Sequence, residues 1–236
     1  MRDGEIDDIL KKAAEAHRAP DPALLDRIAG SLRPDMRSVR PLPPGWAITS
    51  ALGVMAVAVA FAVAARLGFH GVHAMSGLQH YAVFPCLAVL IVSAALAWTA
   101  EMIPGSRRRA SPGVLLAGAT AVLIAMFALL FREETSGPFV SPGIACLKAG
   151  LLTALPAALA GWCLVRRGFA VNPTGAAVAA GILAGLAGVA MLALHCPNFQ
   201  TWHVLVWHAA VVPLSAVLAA LAVKLAEVRR ARSHST

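Results

Sequence analysis

Six runs of about 20 apolar residues, at 46–67, 78–103, 113–131, 144–165, 175–195 and 203–225, constrain this chain more than any other feature. Each is long enough, as a helix, to cross the hydrocarbon core of a bilayer. The expected fold is therefore an all-α polytopic membrane protein, a six-transmembrane-helix bundle preceded by a short helical N-terminal cytoplasmic segment. Composition agrees: 58% of the residues are hydrophobic and 14% charged, where a soluble domain carries about a quarter charged.

The segments between the runs sort by charge. Arg33, Arg37 and Arg40 precede the first run, Arg107, Arg108 and Arg109 follow the second, Arg166 and Arg167 follow the fourth, and Arg229, Arg230 and Arg232 follow the sixth. Segments 68–77 and 196–202 contain no Lys or Arg, and the remaining one sets Arg132 beside Glu133 and Glu134. This alternation predicts an inner-membrane protein with both termini in the cytoplasm. It also explains the net charge of +8 without nucleic acid: the basic residues are topology determinants, and few aromatics are present to stack on bases. The first 40 residues are charged and lack the apolar segment of a cleavable signal peptide.

Three regions follow: a cytoplasmic segment 1–45, a six-helix transmembrane domain 46–228 and a basic tail 229–236. Within 1–45 the spacing predicts two amphipathic helices. The first, over 4–18, carries Ile6, Ile9, Leu10 and Ala13 on one face. The second starts after Asp21 as N-cap with Pro22 at the first helical position, and sets Leu24, Leu25, Ile28 and Leu32 on one face. A proline-rich stretch to Pro44 then breaks the helix. Too small to bury a core of its own, the segment needs a partner or the membrane surface. Its mixed acidic and basic residues argue for the partner.

Inside the membrane, Gly181 and Gly185 form a GxxxG spacing with Gly188 nearby, which lets another helix approach the fifth span closely. Pro85, Pro156 and Pro213 lie within spans, where neighbours can satisfy the freed carbonyls.

No P-loop, HExxH or nucleophile elbow is present, so an enzyme is not expected. Intramembrane carboxylates, which cation-coupled transporters need, are nearly absent; Glu101 and Glu227 sit at span ends. Of four cysteines, Cys146 and Cys196 fall at matching depth on the outer face, next to the oxidising compartment where a disulfide persists. Cys86 and Cys163 read as ordinary small buried residues. Histidine shares the outer geography: His195 adjoins Cys196, His203 starts the sixth span, and His208 lies about a turn and a half deeper. Thiolate with imidazole suits soft or borderline ions, so His195, His203 and His208 are candidate metal ligands and a transient heavy-metal ion is a candidate cofactor. Lys148 would either lower a thiol pKa or snorkel to the surface. Trp202 and Trp207 read as interface and packing residues.

Cys146 at the start of the fourth span, Arg166-Arg167-Gly168 after it, Thr174-Gly175 opening the fifth, and Leu194-His195-Cys196-Pro197 leading to Trp202-His203-Val204-Leu205-Val206-Trp207-His208 together resemble the bacterial membrane anti-sigma factors of the negative regulator of sigma F family. The resemblance covers about 100 residues of the second half, and the six-helix layout agrees. It implies that the chain holds an extracytoplasmic-function-type sigma factor at the inner membrane and releases it on stress, with Cys146 and Cys196 as the redox- or metal-sensing pair. The partner-binding residues would be Ile9, Leu10, Leu24, Leu25, Ile28 and Leu32; the other partner is the bilayer, with no direct nucleic acid. Two alternatives remain open: a metal or small-solute transporter with outer-face His and Cys as entry site, and a membrane redox enzyme with His-ligated haem.

Overall fold

The computed structural model describes residues 8, 11–12, 22–32, 42–106, 110–132, 138–165, 168 and 170–233. Contacts divide the chain into two units, Met1–Pro41 and Leu42–Thr236. The first contributes one complete described helix, α1 (Pro22–Leu32), which begins at the proline that the sequence places at its first position. Leu25 and Ile28 on it are exposed. Asp8, Lys11 and Lys12 are helical; Ile9 and Leu10 lie outside the described residues, as do the side chains of Leu24 and Leu32.

The second unit holds α2 (Gly45–Leu67), a short α3 (His70–Ala74), α4 (Gly77–Met102), α5 (Pro112–Leu130), α6 (Val140–Val165), α7 (Pro173–His195) and α8 (Thr201–Ser233). All but α3 are long and apolar enough to cross a membrane, six in all, and no β-strand occurs among the described residues. The spans begin and end within a few residues of the apolar runs, except that α8 continues through Arg229 and Arg232 to Ser233. Helix starts follow local chemistry. Ser76 and Gln79 form a reciprocal capping box at α4. Ser111 and Asn172 each cap their helix through the side chain, with proline at the following position.

Around α7 the other spans assemble. It contacts α2, α4, α5, α6 and α8, and 83% of its apolar window is buried against 22–39% for the other five. Small residues make this possible. A Cβ added at Gly181 would stand 2.5 Å from Ala216 Cα, and one at Gly185 would stand 2.7 Å from Val212 Cα. Gly188 faces α6, where a Cβ would lie 2.5 Å from the Gly150 carbonyl oxygen. The GxxxG spacing is thus the seat of α8, and the third glycine seats α6. Polar ties between elements include Thr49 Oγ1 donating to Thr99 Oγ1 between α2 and α4 (3.1 Å) and Gln79 Nε2 donating to the Leu130 carbonyl (3.1 Å).

Candidate functional site

At the bundle end where α6 starts and α7 stops, three segments bring sulfur and imidazole together. The second turn of α6 presents half-buried Cys146. Cys196 is the residue that caps the C-terminus of α7, its N–H bonded to the Leu192 carbonyl (2.8 Å). It is buried, at 4% exposure. After a four-residue link, α8 starts at Thr201, presents His203 in its first turn and then departs from α-geometry: Val204–His208 is a π-helical turn, in which the Ala209 N–H reaches back five residues to the Val204 carbonyl (3.2 Å).

The distances define a single cluster. Cys146 Sγ and Cys196 Sγ are 3.4 Å apart and unbonded. Cys196 Sγ lies 3.7 Å from His203 Nε2, and the His203 and His208 rings meet edge to face at 5.2 Å. One donor atom from each of these four residues falls within 4.8 Å of every other. His203 and His208 are almost fully buried, and His203 Nδ1 and His208 Nε2 have no hydrogen-bond partner. The Cys146 thiol, donating to Cys196, holds the Cys196 thiol well below the usual cysteine range, against the upward push of burial and with the His203 and His208 imidazoles adding to the effect. Phe127 packs edge-on to His208, and Phe131 stacks between Phe127 and Phe199, so an apolar wall closes one side.

The remaining residues singled out by the sequence go elsewhere. His195 turns away from the sulfurs and donates through Nδ1 to the Gly68 carbonyl (3.0 Å), with His70 at 5.9 Å. It pins the end of α7 to the α2–α3 link. Lys148 is exposed and, two residues along, lies about 200° around α6 from Cys146. Cys163 is exposed and Cys86 is half-buried in α4, both apart from the cluster. Trp202 is exposed, whereas Trp207 lies against Gly143 of α6 and 5.6 Å from Phe139.

Two supports of the site were not anticipated from the sequence. One is α3, whose Gly71 leaves no room for a side chain, since a Cβ there would sit 2.7 Å from both the Ala193 and Cys196 carbonyl oxygens. The other is the π turn. On an α-helix, residues five apart point about 140° away from one another, so His203 and His208 share a face only because the turn is widened. The His-x₄-His spacing, odd for one α-helical face, was the hint available.

Chemically, the cluster offers two thiols for oxidation to a disulfide or four donors for a soft ion. A family model described as negative regulator of sigma F matches residues 32–226, a range that takes in five spans whole, the sixth as far as Ala226, and all four cluster residues. No curated protein and no solved structure matches the chain.

Proposed function

The chain belongs to the negative regulator of sigma F family, and from that premise we propose that it restrains an extracytoplasmic-function-type sigma factor at the bacterial inner membrane and releases it when the Cys146–Cys196 pair is oxidised or captures a metal ion. The family supplies the negative regulation of a sigma factor. The observation that carries the sensing is the 3.4 Å approach of two sulfurs held by different helices.

Oxidation removes two electrons and two protons to an oxidant such as a peroxide and joins the sulfurs, tying α6 to the end of α7. A switch of this kind must favour one state by several kcal/mol, and a bond or ion that forms in one helix arrangement alone meets that requirement. The matched region begins at Leu32, the last residue of α1, so the partner surface is assigned from chemistry instead: Leu25 and Ile28 lie exposed on α1, and an apolar stripe without a core of its own suits a groove on another protein. With the basic loops retained in the cytoplasm, both termini lie on the side where a sigma factor resides, and the cluster lies on the outer side.

The test is co-purification of the full-length protein from native membranes. The wild type is expected to carry a sigma factor, and Leu25→Asp with Ile28→Asp to carry none. Treatment with peroxide or cadmium should free the sigma factor from the wild type and leave it bound to Cys146→Ser and Cys196→Ser. Release from both serine variants would sink the sensing mechanism, and absence of any sigma factor would sink the partner assignment.

A further inference from the structure

We infer that Cys146, Cys196, His203 and His208 form one closed four-donor site for a divalent zinc-group ion, Zn²⁺ or Cd²⁺, and that the π turn of α8 exists to complete it. This deepens the sensing reading by naming the ligand class, and only its regulatory consequence rests on that reading.

Geometry comes first. An ion 2.3 Å from sulfur and 2.0–2.1 Å from nitrogen, with tetrahedral angles, sets its donors roughly 3.3–3.8 Å apart. Around such an ion two sulfurs stand about 3.8 Å apart and sulfur and nitrogen about 3.5 Å; the observed 3.4 Å between sulfurs and 3.7 Å between Cys196 Sγ and His203 Nε2 lie within a few tenths of an ångström of these, and all four donors lie within 4.8 Å of one another. Small side-chain rotations close the remainder.

Charge selects the ion. Two thiolates and two imidazoles sum to −2, which a divalent ion neutralises and a monovalent ion leaves at −1. Behind a wall of Phe127, Phe131 and Phe199, with His203 and His208 out of contact with water, an uncompensated charge is expensive. Sulfur and imidazole donors without a carboxylate reject hard ions such as Mg²⁺ and Ca²⁺. Four protein donors leave no open coordination position, so the site is built for holding an ion rather than for catalysis. Binding replaces whatever protons the two sulfurs carry and releases them.

The π turn points to the same ligand independently. In α-geometry the His208 ring would point about 140° away from His203; the i→i+5 bond from Ala209 to Val204 brings both rings onto the sulfurs. Single π turns of this sort are uncommon and concentrate at functional sites. His208 Nε2 is buried with no hydrogen-bond partner, so this imidazole sits desolvated and incompletely satisfied beside the sulfurs. An ion held here would clamp α6, the end of α7 and the start of α8, and α8 runs from that clamp along Gly185 and Gly181 to the opposite end of the bundle.

The experiment uses the full chain, reduced and purified in detergent, with Zn²⁺, Cd²⁺ or Co²⁺ added alone. One ion per chain is expected, with strong tetrahedral ligand-field bands for Co²⁺ and cadmium–thiolate absorbance for Cd²⁺. His203→Ala and His208→Ala should each weaken binding at least about tenfold, while Cys86→Ser and Cys163→Ser bind as the wild type does. No stoichiometric binding, a weak octahedral Co²⁺ spectrum, or histidine variants that bind like the wild type would overturn the site. The wild-type Co²⁺ spectrum decides even where a variant misfolds. If the wild type binds the ion yet never releases a sigma factor, the site stands and the sensing reading falls. If the histidine variants lose the ion but still respond to peroxide, both the site and the thiol switch stand.

Discussion

Helices α2 and α7 are equal in length, 23 residues each, and nearly equal in mean hydropathy, yet 22% of one apolar window is buried and 83% of the other. The difference lies in volume rather than in polarity. In lipid, apolar side chains gain little by leaving one hydrocarbon for another, so helices associate where their surfaces fit closely. Glycines at 181, 185 and 188 let α8 and α6 reach the α7 backbone, whereas Gly53 of α2 has nothing within 4 Å of where a Cβ would stand and Val54 and Val57 beside it are exposed. Position in the bundle is written in side-chain size.

That contrast can be broken most severely at the α7–α8 contact. Gly185→Leu drives a side chain into the Val212 backbone and is expected to destabilise the bundle by about 3 kcal/mol, while Gly53→Leu should change nothing measurable; unfolding titrations in mixed detergent compare the two. Next in size is Leu186→Ala, which opens a void at a fully buried site. Its expected cost is about 2 kcal/mol, the low end for a buried leucine because the reference medium is lipid rather than water, and Val54→Ala in α2 serves as the control. The smallest effect sharpens the comparison at the helix starts. Asn172 accepts a hydrogen bond from Gly175 N–H (3.0 Å), whereas α2 has no side-chain cap at Pro44. Asn172→Ala should therefore cost about 1 kcal/mol, seen as faster amide exchange in the first turn of α7.

Much of this architecture is legible in the sequence. Lengths of apolar sequence located the six spans, because a span must be long and continuous to satisfy its backbone in hydrocarbon. The glycine spacing marked α7 as a close-packing helix but could not rank it as the central one, since hydropathy does not distinguish lipid from protein as a neighbour. At the site, depth alone set Cys146 and Cys196 in one layer, and adjacency in the chain suggested His195 as readily as His203. Side-chain direction decides between the histidines: His195 is the last residue of α7 and points to Gly68, while His203, in the first turn of α8, points to Cys196. The π turn that adds His208 has no compositional signature in Val204–His208, and α3 lay in a segment with too few apolar residues to announce a helix. The buried position of Glu101 near Asn172 was equally hidden, because a charge at a span end reads as exposed.

The central place of α7 bears on how the protein is made. Synthesis runs from the N-terminus, so four spans enter the bilayer before the helix they surround exists. Until Pro173–His195 has left the ribosome and inserted, α2, α4, α5 and α6 have only one another and lipid for company, and Gly150 waits for the Gly188 turn that fills its groove. The bundle therefore gains its centre late, and one more span, α8, must follow before both glycine faces of α7 are covered. A chain cut short after the fourth span would be a set of membrane helices without an axle, a natural substrate for membrane quality control.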